Sequence, residues 1–312
     1  MRANILGRIA LASGIAFSSL ASKGHADEYG FTTYPLGSLS FGAGITPPPG
    51  VYVTEAVSYY DGSIGGNFSF GGRTFNAGVN AKLFFDEVDI LYVPEKKVFD
   101  GHFGFSVSAP AGYADYQAGA LAARGTIITE TQGDGLGDFS VQAQLGWDGE
   151  EFSHTFYVLN IVPSGRYERG FAPILGLNRP SLDLGWGFTY FDKASKIEIN
   201  GAIGFMASLE NNVTQYQTGN EFHAEWAIGY KFDNALEIGV VGYDYRQLTG
   251  DSGPGAILAP FIGSVDAVGG GLTYSTKIEK TPVTFSVRDY WEYDARHMFH
   301  GNLLISSFTA GF

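Results

Sequence analysis

The sequence predicts an all-β protein: an antiparallel transmembrane β-barrel of about 12 strands, with a Gly/Pro-rich, plug-like segment at its N-terminus. Composition is the first observation, because the 312 residues include 44 Gly, 25 Phe, 18 Tyr and 4 Trp, with no Cys and only 16% charged residues. A hydrophobic content of 45% argues against disorder. The other two observations are a period-two alternation of apolar residues and an alternation of long and short connections.

The N-terminus has the features of a secretory signal peptide at residues 1–26. Arg2 and Arg8 precede an apolar run that is too short to span a bilayer, and Gly24-His25-Ala26 offers small residues for cleavage. A retained membrane anchor is the alternative, but the acidic pair Asp27-Glu28 favours a mature start there. The sequence therefore predicts three parts: the signal peptide, an N-terminal segment at 27–50 and a barrel at 51–312.

Charge excludes one class of partner. The formal net charge is −13, and the charged residues of the leader are all basic, so the mature chain is more acidic still. Nucleic acid is not expected as a partner, because neutralising phosphates requires clustered Lys and Arg.

Period-two patterns from Val51 onward predict strands. One example is Ile197, Ile199, Ile203 and Phe205, which alternate with polar or small residues. The alternate file is rich in Gly, Ser and Asn, which suits a confined lumen rather than a water-facing surface; Ile199 and Phe205 are thus expected to face lipid and Asn200 the lumen. Strands are predicted near 51–61, 74–93, 98–109, 138–147, 151–162, 182–191, 196–208, 221–232, 235–247, 261–275, 283–293 and 301–312.

Loop lengths support a barrel in the outer membrane. Short connections are predicted at 94–97, 148–150, 192–195, 233–234 and 276–282, and long ones at 110–137, 163–181, 209–220 and 248–260. Transmembrane barrels have short periplasmic turns and longer extracellular loops, and an even number of strands places both termini in the periplasm.

Aromatic residues near the strand ends are interpreted as membrane-interface girdles. They are Trp147, Trp186, Tyr190, Trp226, Tyr230 and Trp291. Phe312 ends the chain and shares a face with Phe308 and Leu304 on the last strand. It is predicted to be the signal that the outer-membrane assembly machinery recognises.

The segment from Tyr34 to Gly50 differs from the rest of the chain, because its prolines cannot donate to a strand ladder and its glycines have no side chain to pack. It is expected to fold inside the barrel or to lie across the periplasmic mouth. A disordered leader is the alternative.

Several stretches resemble the meta-pathway phenol-degradation family of outer-membrane proteins. They are Pro47-Pro48-Pro49-Gly50, Gly135-Leu136-Gly137-Asp138, Pro163-Ser164-Gly165-Arg166-Tyr167, residues 221–230 and residues 241–253. The resemblance implies a Gram-negative outer-membrane barrel that admits aromatic or other hydrophobic compounds and accompanies catabolic enzymes without being one of them. It assigns no binding residue at any position.

Inward-facing charges are the candidate lumen and substrate-path residues. They are Glu198, His223, Glu225, Glu237, Arg288 and Glu292. Charges in a partly dry interior must be paired, so they are expected to form either lumen salt bridges between strands or a polar constriction. The first alternative is preferred.

Motifs that resemble catalytic or metal sites lack partners. Gly250-Asp251-Ser252-Gly253 is similar to a serine-protease nucleophile segment, but no histidine lies in the matching signature. Gly133 to Asp138 is similar to a calcium-binding turn but offers few oxygen ligands. No metal, cofactor or catalytic residue is predicted.

The primary functional hypothesis is a passive, porin-like channel for small hydrophobic or aromatic compounds, surrounded by lipid bilayer and lipopolysaccharide. One alternative is a lipid-modifying enzyme that would use His154 with Ser153, or His297 with Ser306 or Ser307. The other is a barrel whose extracellular loops bind a partner.

Overall fold

The computed structural model describes residues 28–70, 73–122, 125–167, 175–256 and 261–312, and the side chains of 66–77 and 120–127 lie outside that description. The predicted signal peptide lies outside the described residues. A 3-10 turn at Glu28–Gly30 precedes the strands. Within the described ranges, no helix is long and apolar enough to cross a membrane.

The strands follow one another in a single antiparallel sheet. They are β1 (Gly50–Phe70), β2 (Arg73–Val93), β3 (His102–Ala122), β4 (Gly125–Leu136), β5 (Phe139–Trp147), β6 (Phe152–Val162), β7 (Ser181–Asp192), β8 (Ile197–Ser208), β9 (Glu221–Lys231), β10 (Leu236–Gln247), β11 (Ser264–Ile278), β12 (Thr281–Arg296) and β13 (His300–Gly311).

The sheet closes on itself. β1 pairs with β13, and β2 pairs with both β1 and β3. β4 and β5 both pair with β3, so they are successive parts of one barrel strand that is interrupted at Gly137-Asp138. The fold is therefore a closed barrel of 12 strands, as the sequence predicts.

The predicted loop at 110–137 is wrong. β3 continues to Ala122, and β4 begins at Gly125 and pairs with it to Leu136, so a long hairpin extends the barrel wall here. The sequence pattern missed these strands because the stretch is rich in Gly and Ala and lacks apolar alternation, whereas its backbone still completes the ladder. β1 likewise runs to Phe70, beyond its predicted end at 61.

Side chains alternate between lipid and lumen along the regular strands. On β9, His223, Glu225 and Ala227 are buried, whereas Trp226 and Ile228 are 37% and 46% exposed. Ile199 and Phe205 on β8 are exposed and Asn200 is buried, as their predicted faces require. The lipid face is mainly apolar and the inner face holds most of the buried polar groups.

Candidate functional site: the barrel lumen

The N-terminal segment, residues 28–49, passes through the lumen. At its start, the carboxylate of Glu28 accepts hydrogen bonds from Asn211 Nδ2 at 2.8 Å and Thr214 Oγ1 at 2.6 Å, both in the connection between β8 and β9. At its end, Gly50 begins β1 beside the C-terminus, where Val51 and Phe312 exchange backbone hydrogen bonds. The segment thus runs from the long connections to the end of the barrel that holds the short turns.

Strands β7, β8 and β9 form the side of the lumen that holds this segment. We call these three strands the docked wall. Glu225 on β9 accepts hydrogen bonds from Tyr34 Oη at 2.6 Å and from the Leu39 amide at 3.1 Å. Its neighbour on the same face, His223, stacks on the Tyr34 ring with centroids 3.5 Å apart. Two of the candidate lumen residues therefore contact the segment rather than an open channel.

The docked wall continues towards the short turns. The Gly42 amide lies 3.1 Å from Glu198 Oε1 and 2.9 Å from Asn200 Oδ1, both on β8. The Gly44 amide donates to Thr189 Oγ1 on β7 at 3.0 Å. Because the Gly42 and Gly44 amides meet polar side chains of the wall, while the Ala43 amide between them donates to the Ser40 carbonyl, this part of the backbone is hydrogen-bonded without forming a strand.

Gly44 is required by a close approach between two segments of the backbone. A Cβ at this position would lie 2.5 Å from the backbone of Phe188 on β7. Since real Cβ atoms do not come so close to another backbone, only glycine allows the segment to lie directly against the wall here.

Arg288 binds the segment from β12, which is separated from the docked wall by β10 and β11. Its Nη1 donates to the carbonyl oxygens of Gly37 at 3.0 Å and Ser38 at 2.6 Å. Glu292, on the same strand, instead accepts from Tyr60 Oη at 2.8 Å and Tyr243 Oη at 2.6 Å.

The predicted lumen salt bridges form only in part. His223 Nε2 lies 3.1 Å from Asp183 Oδ2 on β7, and Lys231 contacts both Glu198 and Glu237. Arg288 and Glu292, in contrast, satisfy their charges with carbonyl and phenol groups. The sequence analysis considered partners on neighbouring strands alone, whereas here the N-terminal segment and two tyrosines supply hydrogen-bond partners.

The sequence analysis missed several polar residues that hold the lumen together. Arg179 is fully buried and donates to Thr218 Oγ1 and to the Phe31 carbonyl. Glu221 accepts from Thr32 Oγ1 at 2.6 Å. The signal for Glu221 was present, since it shares the period-two file of His223 and Glu225, whereas nothing local distinguishes Arg179.

Opposite the docked wall lies an open cavity of ≈ 730 Å³. Strands β1, β2, β3, β5 and β13 supply much of the lining of this cavity, and we call them the cavity wall. The rest of the lining comes from β6, β11, β12 and the exposed side of the N-terminal segment. Towards the long connections its lining is apolar, with Phe31, Tyr60, Leu83, Phe299 and Leu303. Towards the short turns its lining is mostly Ser, Thr, Gln, Glu and Asp.

The predicted interface aromatics lie on the outer face. Tyr190, Trp226, Tyr230 and Trp291 are exposed, and Trp147 and Trp186 are partly exposed beside other aromatic rings. The Phe312 side chain is 73% exposed, while its backbone pairs with Val51.

Ser153 and His154, considered for catalysis, do not face each other. Ser153 is buried and adjoins His154 on β6, so the two side chains face opposite sides of the sheet. His154 stacks on Trp147, with centroids 5.1 Å apart. Asp251 of the protease-like segment accepts from Tyr216 Oη and from Gln247 Nε2.

Asp138 of the calcium-like turn has a different function. Its two carboxylate oxygens accept four backbone amides, from Ser164, Gly165, Leu177 and Asn178, at 2.8 to 3.2 Å. These amides occupy the oxygens that the calcium interpretation required and fix both ends of the connection between β6 and β7.

Comparison with known proteins identifies the family. The family model described as "Putative MetA-pathway of phenol degradation" matches residues 62–308. The chain belongs to this family. No curated protein matches it.

Three solved structures show similarity to this chain. The COG4313 outer membrane channel from Pseudomonas putida F1 is 13% identical with a TM-score of 0.67, covering 87% of this chain and 98% of its own. The transport unit of the autotransporter AIDA-I from Escherichia coli is 10% identical with a TM-score of 0.47, covering 84% and 90%. The CymD monoaromatic hydrocarbon channel is 7% identical with a TM-score of 0.41, covering 85% and 89%. The first likeness shows the fold, which is that of a barrel in the bacterial outer membrane.

Proposed function

We propose that the protein is a passive channel that admits small hydrophobic and aromatic compounds across the bacterial outer membrane. The cavity of ≈ 730 Å³ beside the N-terminal segment is the observation that carries this proposal. Its volume lies in the range of small-molecule sites, which are lined mainly by apolar and aromatic side chains.

The apolar part of the cavity lies where a compound from outside would enter. Phe31 and Phe299 stack with centroids 4.4 Å apart, and the Phe31 and Tyr60 rings meet edge to face. Leu83 and Leu303 line the cavity beside them. This surface can receive an aromatic ring that has left the water, because burial of apolar surface is favourable.

The N-terminal segment is proposed to be the plug that keeps the lumen narrow. An interior of 12 strands lies between the side-chain-filled barrels of about 8 strands and the aqueous porins of about 16. Here the segment occupies one side, and the cavity occupies the other. A narrow, largely apolar passage favours hydrophobic compounds over free diffusion of polar solutes.

Family membership and the related channel support the same function. The family model is named for phenol degradation, and the Pseudomonas putida protein of similar fold is named an outer membrane channel. We assign no catalytic step to this chain and expect its compounds to be used by enzymes inside the cell. Lipopolysaccharide around the barrel would slow the diffusion of such compounds across the outer membrane, and the channel would provide a faster route.

Uptake of radiolabelled toluene by host cells with an intact lipopolysaccharide leaflet tests the proposal. The gene should raise the initial uptake rate. Ala56→Trp should abolish the increase, because Ala56 lines the cavity. The matched control is Val57→Trp, on the outer face of the same strand.

A folded Ala56→Trp barrel in the outer membrane that takes up toluene at the wild-type rate would contradict the proposed path. Equal uptake with and without the gene would contradict the channel function altogether.

A further inference from the structure

We propose that the channel selects amphipathic compounds by their head group: it accepts hydrogen-bond donors, either a neutral hydroxyl or a protonated amine, and rejects carboxylates and other anions. Glu87 and Asp89 on β2 are the residues assigned to this selection. The inference rests on the proposed function and deepens it by naming the substrate class.

The cavity has two chemically different ends. Its apolar end contains Phe31, Tyr60 and Leu83. Its other end begins with a continuous row of polar side chains, each directly paired with the next across the strands: Thr284, Thr309, Thr54, Asp89, Ser108 and Ser140.

This gradient orients an amphipathic molecule. The apolar part gains from contact with the aromatic end, and a polar head would lose hydrogen bonds there. The hydroxyl row offers the head group partners at the opposite end. A molecule in the cavity therefore lies with its head towards the short turns, which is also the end where Glu87 and Asp89 line the cavity.

Both carboxylates are held in place but not neutralised. Glu87 accepts a hydrogen bond from Ser108 Oγ, and Asp89 from Ser106. Among the residues that the structure describes, neither has a Lys, Arg or His within ion-pair distance.

The other carboxylates of the lumen are satisfied differently. Glu225 is bound by the N-terminal segment, Glu198 contacts Lys231, and Glu292 accepts two tyrosine hydroxyls and the Gly301 amide. Arg288 also lines the cavity, but its Nη1 donates to two carbonyls of the segment. Glu87 and Asp89 thus remain as acceptors that can meet a ligand.

Selection follows from the charge. Two carboxylates in a confined, partly dry space repel an anion strongly, because screening by water is weak there. A hydroxyl or ammonium group donates to the same oxygens. Specificity of this kind depends on rejection of the wrong head group as much as on attraction of the right one.

The test uses three probes with one aromatic ring and different heads: benzyl alcohol, benzylamine and phenylacetate. Purified full-length protein is placed in planar bilayers. Reversal potentials under gradients of benzylammonium chloride and sodium phenylacetate give the permeability ratio of the two ions, and benzyl alcohol is scored by its block of the ion current.

We expect benzylammonium to be about tenfold more permeant than phenylacetate, which corresponds to about 1.4 kcal/mol. The double variant Glu87→Gln with Asp89→Asn should bring the ratio close to one. Asp86→Asn is the matched control: it removes a carboxylate from the same strand, but its exposed side chain faces outward, so the ratio should not change.

Equal permeabilities of the two ions in the wild-type channel would overturn head-group selection and leave the proposed function standing, provided that benzyl alcohol still blocks. An unchanged ratio in the folded double variant would overturn the roles of Glu87 and Asp89. A wild-type protein that responds to none of the three probes would overturn the proposed function and this inference with it.

Discussion

The two sides of the lumen use the same kinds of residue for different purposes. On the docked wall, Glu225 and Asn200 are almost fully buried, and both accept amide hydrogen bonds from the N-terminal segment. On the cavity wall, Glu87 and Asp89 accept from serines and remain partly exposed to the cavity. The comparison teaches that inward charge in a barrel does not identify a substrate path, because what covers the charge decides its function.

Deletion of Ser38 to Thr46 should give the largest effect. It removes the Leu39, Gly42 and Gly44 contacts with the docked wall, so the lumen should widen and the single-channel conductance should rise severalfold with entry of polar solutes. The strands should persist, because none of the removed residues belongs to one. Unchanged conductance in a folded deletion variant would contradict the proposed plug.

Arginine substitutions compare the stability cost of a charge at three places: the lipid-facing surface, the docked wall and the cavity. Ile199→Arg should lower the free energy of unfolding by up to about 2 to 4 kcal/mol if it lies near the bilayer midplane. Asn200→Arg, although it faces the lumen, should also be costly because Asn200 is buried against Gly42. Ser286→Arg, which faces the cavity, is the tolerated control. Urea unfolding in lipid would measure all three, and a loss at Ser286→Arg as large as those at the other two positions would contradict the assigned faces.

Glu225→Ala should release the segment from the docked wall. Its carboxylate accepts two hydrogen bonds, and a bond to a charged group contributes about 1.5 to 3 kcal/mol. Because the chain has no cysteine, Ser40→Cys is a unique reporter at a buried position, and its maleimide labelling should become faster.

Two controls sharpen the Glu225 experiment. Glu225→Gln keeps an acceptor oxygen and should label more slowly than Glu225→Ala. Glu87→Ala, on the cavity wall, should leave labelling at the background rate; faster labelling in that variant would remove the distinction between the walls.

Phe312→Ala tests the end of the cavity wall where β13 meets β1. The exchange removes an exposed ring but keeps the backbone hydrogen bonds with Val51. We expect less heat-modifiable barrel in the outer membrane and little change in the stability of the folded fraction, because the ring is proposed to be an assembly signal. Phe308→Ala, an aromatic exchange on the same strand, is the control and should assemble better.

The smallest expected effect is a pH dependence at the start of the segment. Burial raises the pKa of Glu28 above its ordinary value, against hydrogen bonds from Thr214 and Asn211 that lower it. The folded state therefore binds the proton more tightly, and this contribution to docking is present at low pH and decreases as pH rises through the raised pKa. A spin label at Pro35→Cys should become more mobile from pH 5 to pH 8, and Glu28→Gln should remove that change.

The sequence alone determined the barrel. Period-two alternation places side chains on opposite faces of a strand whatever its neighbours are, so the outward positions of Ile199 and Trp226 followed directly, as did the inward positions of Glu225 and Arg288. Long hairpins such as β3 to β4 were missed, because backbone pairing needs no apolar pattern.

Only the tertiary structure decided which inward residues contact the N-terminal segment and which face the cavity. The partners of Glu225 and Arg288 come from Tyr34 to Ser40, far away in the sequence and without any periodicity that points to them. The segment and these strand residues meet only when the whole barrel has closed around the segment, and no local sequence pattern encodes that contact. The sequence therefore determined which side chains enter the lumen, and the fold of the segment against one wall decided which remain open to a ligand.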